Sequence, residues 1–274
     1  MTDLLVRRLL VDLESPVPRH WCGGDAFRTA LFNALSMSFP VGEQFFIDSV
    51  RSGMARLDAP QRARFDAEGA GFIGQEATHR RVHALFNAHL ARQGLVNHWE
   101  ARALARLKRL QGVDVRAWVG LTAATEHFTA ILAHYLHTHP QALQGCEPRL
   151  ATLWLWHASE ESEHRATAFD LYRALGGDER WRLRLFRMVT WYFLTDTLRQ
   201  TLNNLWRDGS WRRSGTWRSA WRFLFGSGGL APALYRPWRC YFAPDFHPAQ
   251  QDASAALRWL RENQTQFEVV GQRG

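Results

Sequence analysis

Two glutamate–histidine pairs stand three residues apart in the chain: Glu76 with His79, and Glu161 with His164. On a helix that spacing sets both side chains on one face, roughly 60° apart. A further glutamate precedes each pair, Glu43 by 33 residues and Glu126 by 35. Such offsets arise when antiparallel helices of roughly six to eight turns are joined by short loops. Read in order, the pattern is Glu, Glu-x-x-His, Glu, Glu-x-x-His. Four carboxylates carry a charge that balances two divalent cations. Without such partners an acid on an apolar helix face costs several kcal/mol, and Phe45, Phe46, Phe72, Phe128, Ile131 and Trp156 give these helices apolar flanks. The competing reading pairs the same glutamates with arginines across helices or turns them to water.

Other imidazoles and acids lie within reach. His157, Glu161 and His164 are spaced i, i+4, i+7, so His157 is a candidate third nitrogen ligand. His83 follows Glu76 by seven residues and reads rather as a core or outer histidine; His127 reads as outer or exposed, and His134, His137 and His139 as surface or helix-end residues. Glu163 should point away from the others, and Glu160 is ambiguous. The candidate metal ligands are therefore Glu43, Glu76, His79, Glu126, His157, Glu161 and His164.

The elements that must carry these residues read as helices throughout. Asp25 caps a helix from Ala26 to about Leu57, which Pro40 and Gly42 should kink or split. Pro60 opens a second, running to about Arg92, with Gly69, Gly71 and Gly74 inside it. Interior glycines weaken a helix, so something should approach its backbone closely there. A polar helix near 97 to 110 follows, then one from Asp114 to near Pro140, one from Pro148 to Gly176-Gly177, and one from Asp178 to Trp206. The remainder reads as a short Trp/Arg segment at 216 to 225, a loop through Pro248, and a last helix near 249 to 263. No strand pattern is visible. Residues 1 to 24 look irregular. The expected fold is all-α: a ferritin-like four-helix bundle over residues 1–207, with extra C-terminal helices in a Trp/Arg-rich extension, 208–274, packed on it.

Composition narrows the class. With 274 residues, 46% hydrophobic and 22% charged, the chain is neither a disordered nor a disulfide-framework sequence. Three cysteines without C-x-x-C spacing argue against a cysteine zinc site and for a reducing compartment. No signal peptide is expected at Met1 to Val11. The net charge of +8 is concentrated: residues 179–239 hold 12 Arg against 3 acids and 7 of the 13 Trp, leaving the rest of the chain near neutral. Arginine attracts phosphate and tryptophan prefers the boundary between apolar and polar media. A peripheral contact with an anionic membrane is therefore weighed against a plain solvated face, with nucleic acid ranked below both. The run Met188 to Thr195 is too short to span a bilayer.

Several segments carry a family resemblance: Pro18-Arg19-His20-Trp21, Asn33-Ala34-Leu35-Ser36, Phe39-Pro40-Val41-Gly42-Glu43-Gln44-Phe45-Phe46, Phe72-Ile73-Gly74-Gln75-Glu76 and Trp156-His157-Ala158-Ser159-Glu160-Glu161-Ser162-Glu163-His164. Over about residues 1 to 200 the chain resembles the bacterial family described as predicted metal-dependent hydrolases. The ligand order also resembles ferritin-like di-iron oxygenases, notably the arylamine N-oxygenases, which carry a histidine four residues before the last ligand glutamate; His157 stands at that position. That second likeness rests on residue type and spacing.

The donor set suits iron or manganese rather than a thiophilic metal. The sequence reading is accordingly an enzyme holding two Fe ions, with Mn or a mixed Mn/Fe pair as alternatives, that activates O2 to oxidise an apolar or aromatic small molecule. In that reading Glu43, Glu76 and His79 serve one metal, and Glu126, His157, Glu161 and His164 the other and the bridges. A dimetal hydrolase with a metal-activated water is the first alternative, and a non-catalytic, membrane-associated metal-binding protein the second. Expected partners are a small-molecule substrate, O2, an electron donor the sequence does not name, an anionic membrane surface and a second copy in a homodimer. The expected location is cytoplasmic or peripheral to the inner membrane.

Overall fold

Short acidic side chains start the helices where the sequence places them. Asp25 accepts the Arg28 N–H at 3.1 Å and opens α1, Ala26–Met54. Asp58 accepts from Gln61 and opens α2, Ala59–Arg92, with Pro60 in its first turn. In this computed structural model, which describes residues 4–271, there follow α3 (His98–Leu107), α4 (Val115–Thr138), α5 (Pro148–His164), α6 (Thr167–Ala174), α7 (Glu179–Arg207), α8 (Ser214–Phe225), α9 (Leu230–Cys240) and α10 (Ser254–Glu262). Among the described residues the fold is all-α apart from one short strand pair. α1 packs along α2, α4 packs on α5 and α6, and α1 also meets α4. α7 lies against both α1 and α4; α8 rests on α1, α9 on α4 and α10 on α5. Four helices that carry the candidate ligands, α1, α2, α4 and α5, thus enclose a common interior.

Pro40 does not split α1, which runs unbroken from Ala26 to Met54. Proline leaves the carbonyl four residues back without its helical donor. That carbonyl, of Ser36, accepts instead from Asn87 Nδ2 on α2 at 2.9 Å. The helix expected from Pro148 to Gly176-Gly177 is in fact two. α5 ends at His164, where the Arg165 guanidinium turns back onto the Ser162 carbonyl and also donates to the carbonyls of Pro248 and Gln251. Those bonds anchor the break.

Two further expectations are corrected. Residues 226–248 are not all loop, because α9 lies within them. Pro232 falls in its first turn, where the missing N–H has no helical partner to lose, and Leu230, Leu234 and Trp238 supply its inward face. Strands do occur: β1 (Arg7–Leu9) pairs antiparallel with β2 (Phe267–Val269). Three residues are too few to show an alternating pattern. Of the stretch read as irregular at 1–24, and of the leader reading for Met1 to Val11, residues 1–3 lie outside the described residues.

The interior glycines of α2 do mark close approach. A Cβ on Gly71 would lie 2.5 Å from Leu4 Cβ and 2.7 Å from the Leu4 carbonyl oxygen; one on Gly74 would meet Val6 at 2.3 Å, and one on Gly69 would meet Met54 Sδ at 2.3 Å. The first two let the segment leading into β1 lie directly on the helix. Gly71→Ala should therefore destabilise the fold by about 1–3 kcal/mol, since backbone must move. Gly74→Ala should cost less, because it meets only a side chain. Denaturant midpoints of the two variants against the parent check the order.

Candidate metal centre

Each candidate ligand reaches the interior from a helix whose packing buries it. Glu43 comes from α1, Glu76 and His79 from α2, Glu126 from α4, and His157, Glu161 and His164 from α5. All seven are at most 3% exposed. Their donor atoms form overlapping groups in which every atom lies within 4.8 Å of the others: Glu43, Glu76 and His79; Glu76, Glu126, Glu161 and His164; His79, His157 and Glu161. The structure thus brings together every residue the sequence singled out. It differs on the grouping of one. His157 Nε2 lies 2.8 Å from Glu161 Oε1 and 4.0 Å from Glu43 Oε1, and its ring stacks on His79 at 4.2 Å. It belongs on the side of Glu43 and His79, not with Glu126. Glu76 and Glu161 stand between the two sides.

Arginine does not neutralise this cluster. Among the described residues, the titratable nitrogens within 4 Å of Glu43, Glu76, Glu126 and Glu161 belong to histidines: His164 Nε2 at 3.1 Å from Glu76, 3.2 Å from Glu126 and 3.5 Å from Glu161, His79 Nδ1 at 3.5 Å from Glu161, and His157 Nε2 at the distances from Glu161 and Glu43 given above. Both oxygens of Glu43, Glu76 and Glu126, Oε2 of Glu161, Nδ1 of His79 and Nε2 of His164 are buried without a hydrogen-bond partner. Buried polar atoms in native proteins are almost always satisfied, so a set of orphaned acceptors turned toward one another fits cations. Oxygen and imidazole nitrogen with no nearby thiolate fit first-row divalent ions.

Outer hydrogen bonds decide which nitrogen each imidazole presents. His79 directs Nε2 to Glu160 Oε2 at 2.8 Å, and Glu160 in turn accepts from Arg7 of β1 at 3.1 Å. That leaves Nδ1 facing the cluster. His164 directs Nδ1 to Gln75 Oε1 at 2.9 Å. The Gln75 amide is fixed, because its Nε2 donates to the Leu5 carbonyl and to Glu163; hence His164 donates from Nδ1 and faces inward with Nε2. Around His157 the chain is longer. Asn87 gives its Nδ2 to the Ser36 carbonyl, so its oxygen accepts from Ser36 Oγ at 2.8 Å. Ser36 Oγ then accepts from His83 Nδ1 at 2.9 Å, and His83 Nε2 accepts from His157 Nδ1 at 2.7 Å. His157 is left with a free lone pair on Nε2. Such outer partners orient ligating histidines generally.

The neighbouring residues fall accordingly. His83 spends both nitrogens in this chain, on Ser36 and His157, although one of them also lies within 4.8 Å of donor atoms of Glu43 and His157. Glu163 points away, onto Arg7 at 2.7 and 2.9 Å. His127 is buried outside the cluster, against the Pro237 carbonyl. Sequence reasoning missed Arg7, Ser36, Gln75 and Asn87. Gln75 and Ser36 had a visible signal, each standing in a quoted segment, Gln75 beside Glu76; Arg7 and Asn87 had none.

Electrostatics follow from burial. Desolvation pushes the Glu43 carboxyl well above the usual range, raises Glu76, and lifts Glu126 to about 8, with Glu161 adding repulsion. Burial pulls His157 down to about 4 and His83 well below the ordinary value. For His79 burial is outweighed by Glu160, and the ring is raised to about 10. Burial also opposes the charge on Glu161, but the neighbouring His164 holds it well below the usual range.

An all-helical protein with buried carboxylates and imidazoles converging from four helices is the class that fold and site define. A sequence model described as predicted metal-dependent hydrolase matches residues 5–252, and the chain belongs to that family. Searches of curated proteins and of solved structures gave no match.

Two measurements test the centre. Groups raised above neutrality hold protons without metal, so cation uptake should release more than one proton per chain near pH 7, and affinity should fall as pH drops from 8 to 6; titration calorimetry in buffers of different ionisation enthalpy reads both. His83→Ala strips the partner from His157 Nδ1 and should weaken metal binding by about 10–100-fold while far-ultraviolet dichroism stays unchanged.

Proposed function

We propose that the cluster holds two divalent first-row ions and that the chain is a dimetal hydrolase. The observation that supports it is the set of buried, unpartnered donor atoms from α1, α2, α4 and α5; the family description supports the reaction type. In this reading Glu43, His79 and His157 hold one ion, Glu126 and His164 the other, and Glu76 and Glu161 serve both. When bound, such ions lower the pKa of water and polarise the bond to be cleaved. The chain's own residues supply the setting. The Asn87–Ser36–His83 chain keeps the proton on His157 Nδ1, and Arg7 with Glu160 fixes the ring of His79. An apolar pocket of about 40 Å³, lined by Phe39, Leu132, Thr129 and Trp154, reaches His157 and Glu161.

A second reading, oxidation of an apolar substrate with O2 by a di-iron centre of the ferritin-like type, is supported by the same donors. Four carboxylates and imidazoles without thiolate suit iron, and the pocket offers almost no polar group to hold a scissile carbonyl or phosphoryl. The family description favours hydrolysis.

Metal analysis of protein grown with iron, manganese and zinc supplied should give about two ions per chain. Glu76→Ala and Glu161→Ala should each bring that below one. Unchanged content in both variants would refute the centre. Turnover of ester substrates with zinc or manganese, without O2 uptake, supports hydrolysis; reductant-dependent O2 consumption by the iron form, with no hydrolysis, supports the second reading.

A further inference from the structure

α7 carries an exposed apolar stripe. Trp191, Leu194, Leu198, Leu202 and Trp206 recur at intervals of three and four, so they share one helix face, and Trp191 (67%), Leu194 and Leu198 (58% each) and Trp206 (62%) stand well into solvent. α8 adds exposed Trp217, Trp221 and Phe225, and α9 adds Tyr235. The α7 stripe is contiguous by its spacing, and apolar surface of this kind marks an interaction site.

Charge identifies the occupant. Of the 12 arginines in residues 179–239, Arg182 is buried and paired with Glu179. The other eleven are exposed, and among the described residues none is within ion-pairing distance of a carboxylate. Asp196 and Asp208 of the same stretch are taken by Arg102, Arg106, Arg19 and His20. Arg180, Arg184 and Arg187 continue the face of the stripe toward the start of α7. Two copies meeting through this face would bring unpaired arginines together. Nucleic acid would use the arginines and leave the leucines in water. A bilayer with anionic headgroups takes both, since arginine meets phosphate while Trp and Leu enter the acyl boundary. No helix among the described residues is long and apolar enough to cross a membrane.

A cavity ties this face to the metal cluster. It has a volume of about 300 Å³ and is lined by Phe45, Phe46, Trp99, Ala103, Met188 and Tyr192, among others. Met188 and Tyr192 are exposed and border the α7 stripe. Exposed Arg109 lines it as well. At its inner end Phe39 and Thr129 are shared with the narrow pocket that reaches His157 and Glu161. Phe39 packs on the ring of His157 at 4.6 Å.

We propose that this basic, Trp/Leu-rich face seats on an anionic lipid bilayer, and that the cavity beside it admits the acyl chain of a membrane amphiphile toward the metal cluster, its anionic head held at Arg109. The substrate class rests on the metal-centre reading; the seating on lipid does not.

The test uses the full chain with vesicles of phosphatidylcholine alone or mixed with phosphatidylglycerol. Binding should require the anionic lipid, with a blue shift of tryptophan emission and quenching by brominated acyl chains. Leu194→Asp/Leu198→Asp should lose about tenfold or more in vesicle affinity, and Arg184→Gln and Arg187→Gln about fivefold each, all with parental metal content. Ala103→Trp, which fills the cavity, should abolish binding of a dansyl-labelled fatty acid while vesicle binding and metal content persist. Equal affinity for both vesicle types, or for the Leu194→Asp/Leu198→Asp variant, overturns the seating. So does a dimer that this variant dissolves, or duplex DNA binding in place of vesicle binding. Undiminished fatty-acid binding by Ala103→Trp overturns the cavity assignment. Loss of metal in Glu76→Ala with vesicle binding intact separates the two readings.

Discussion

Four carboxylates buried together with no arginine or lysine among the described residues against them set the terms for the rest of this molecule. Each alone would favour neutrality in an apolar interior, and together they repel. Helix packing nevertheless holds Glu43, Glu76, Glu126 and Glu161 with donor atoms inside one small volume, each at most 3% exposed. A fold selected for stability alone would replace such residues by apolar ones of similar size. Their retention in the centre of the helices is therefore a statement about what the interior is built to hold.

The arrangement works because the histidines are constrained from outside as well as within. Pro40 illustrates how backbone and site are joined. By lacking an N–H it frees the Ser36 carbonyl, Asn87 takes that carbonyl, and the orientation so imposed on the Asn87 amide passes through Ser36 and His83 to His157. A proline expected from sequence to kink or split α1 instead frees the acceptor that orders the candidate ligand His157. Gln75 acts similarly on His164, its amide locked by Leu5 and Glu163.

What was legible in the sequence was periodic. Helix starts followed from Asp25, Pro60 and Asp178, and the candidate ligand set followed from glutamate and histidine at helical spacing. The interior glycines of α2 announced a close neighbour without saying which. The neighbour is the segment leading into β1, contributed by residues whose three-residue strand has no readable period. Arg7, Ser36 and Asn87 escaped notice for a shared reason: each acts on a histidine far away in the chain, across 47 to 153 residues where a side chain is bonded, and one sequence carries no trace of such pairings. α9 was hidden by Pro232 and Pro237, which read as turn residues until the first-turn position of the former is known.

The strand pair gives the chain's end a part in the site. Arg7 sits in β1, opposite Val269 of β2, with its guanidinium over the Phe267 ring. The same guanidinium bonds Glu160, which holds His79, and Glu163, which holds Gln75 and through it His164. One buried cation from the first strand therefore braces two inward-facing imidazoles from opposite sides, and its position depends on a strand nearly the whole chain away. Neutralising Glu160 and Glu163 from outside also keeps their charge from adding to the four carboxylates inside. In the dimetal reading two divalent ions alone would then balance the cluster, and the eleven exposed arginines of residues 179–239 have no carboxylate partner among the described residues.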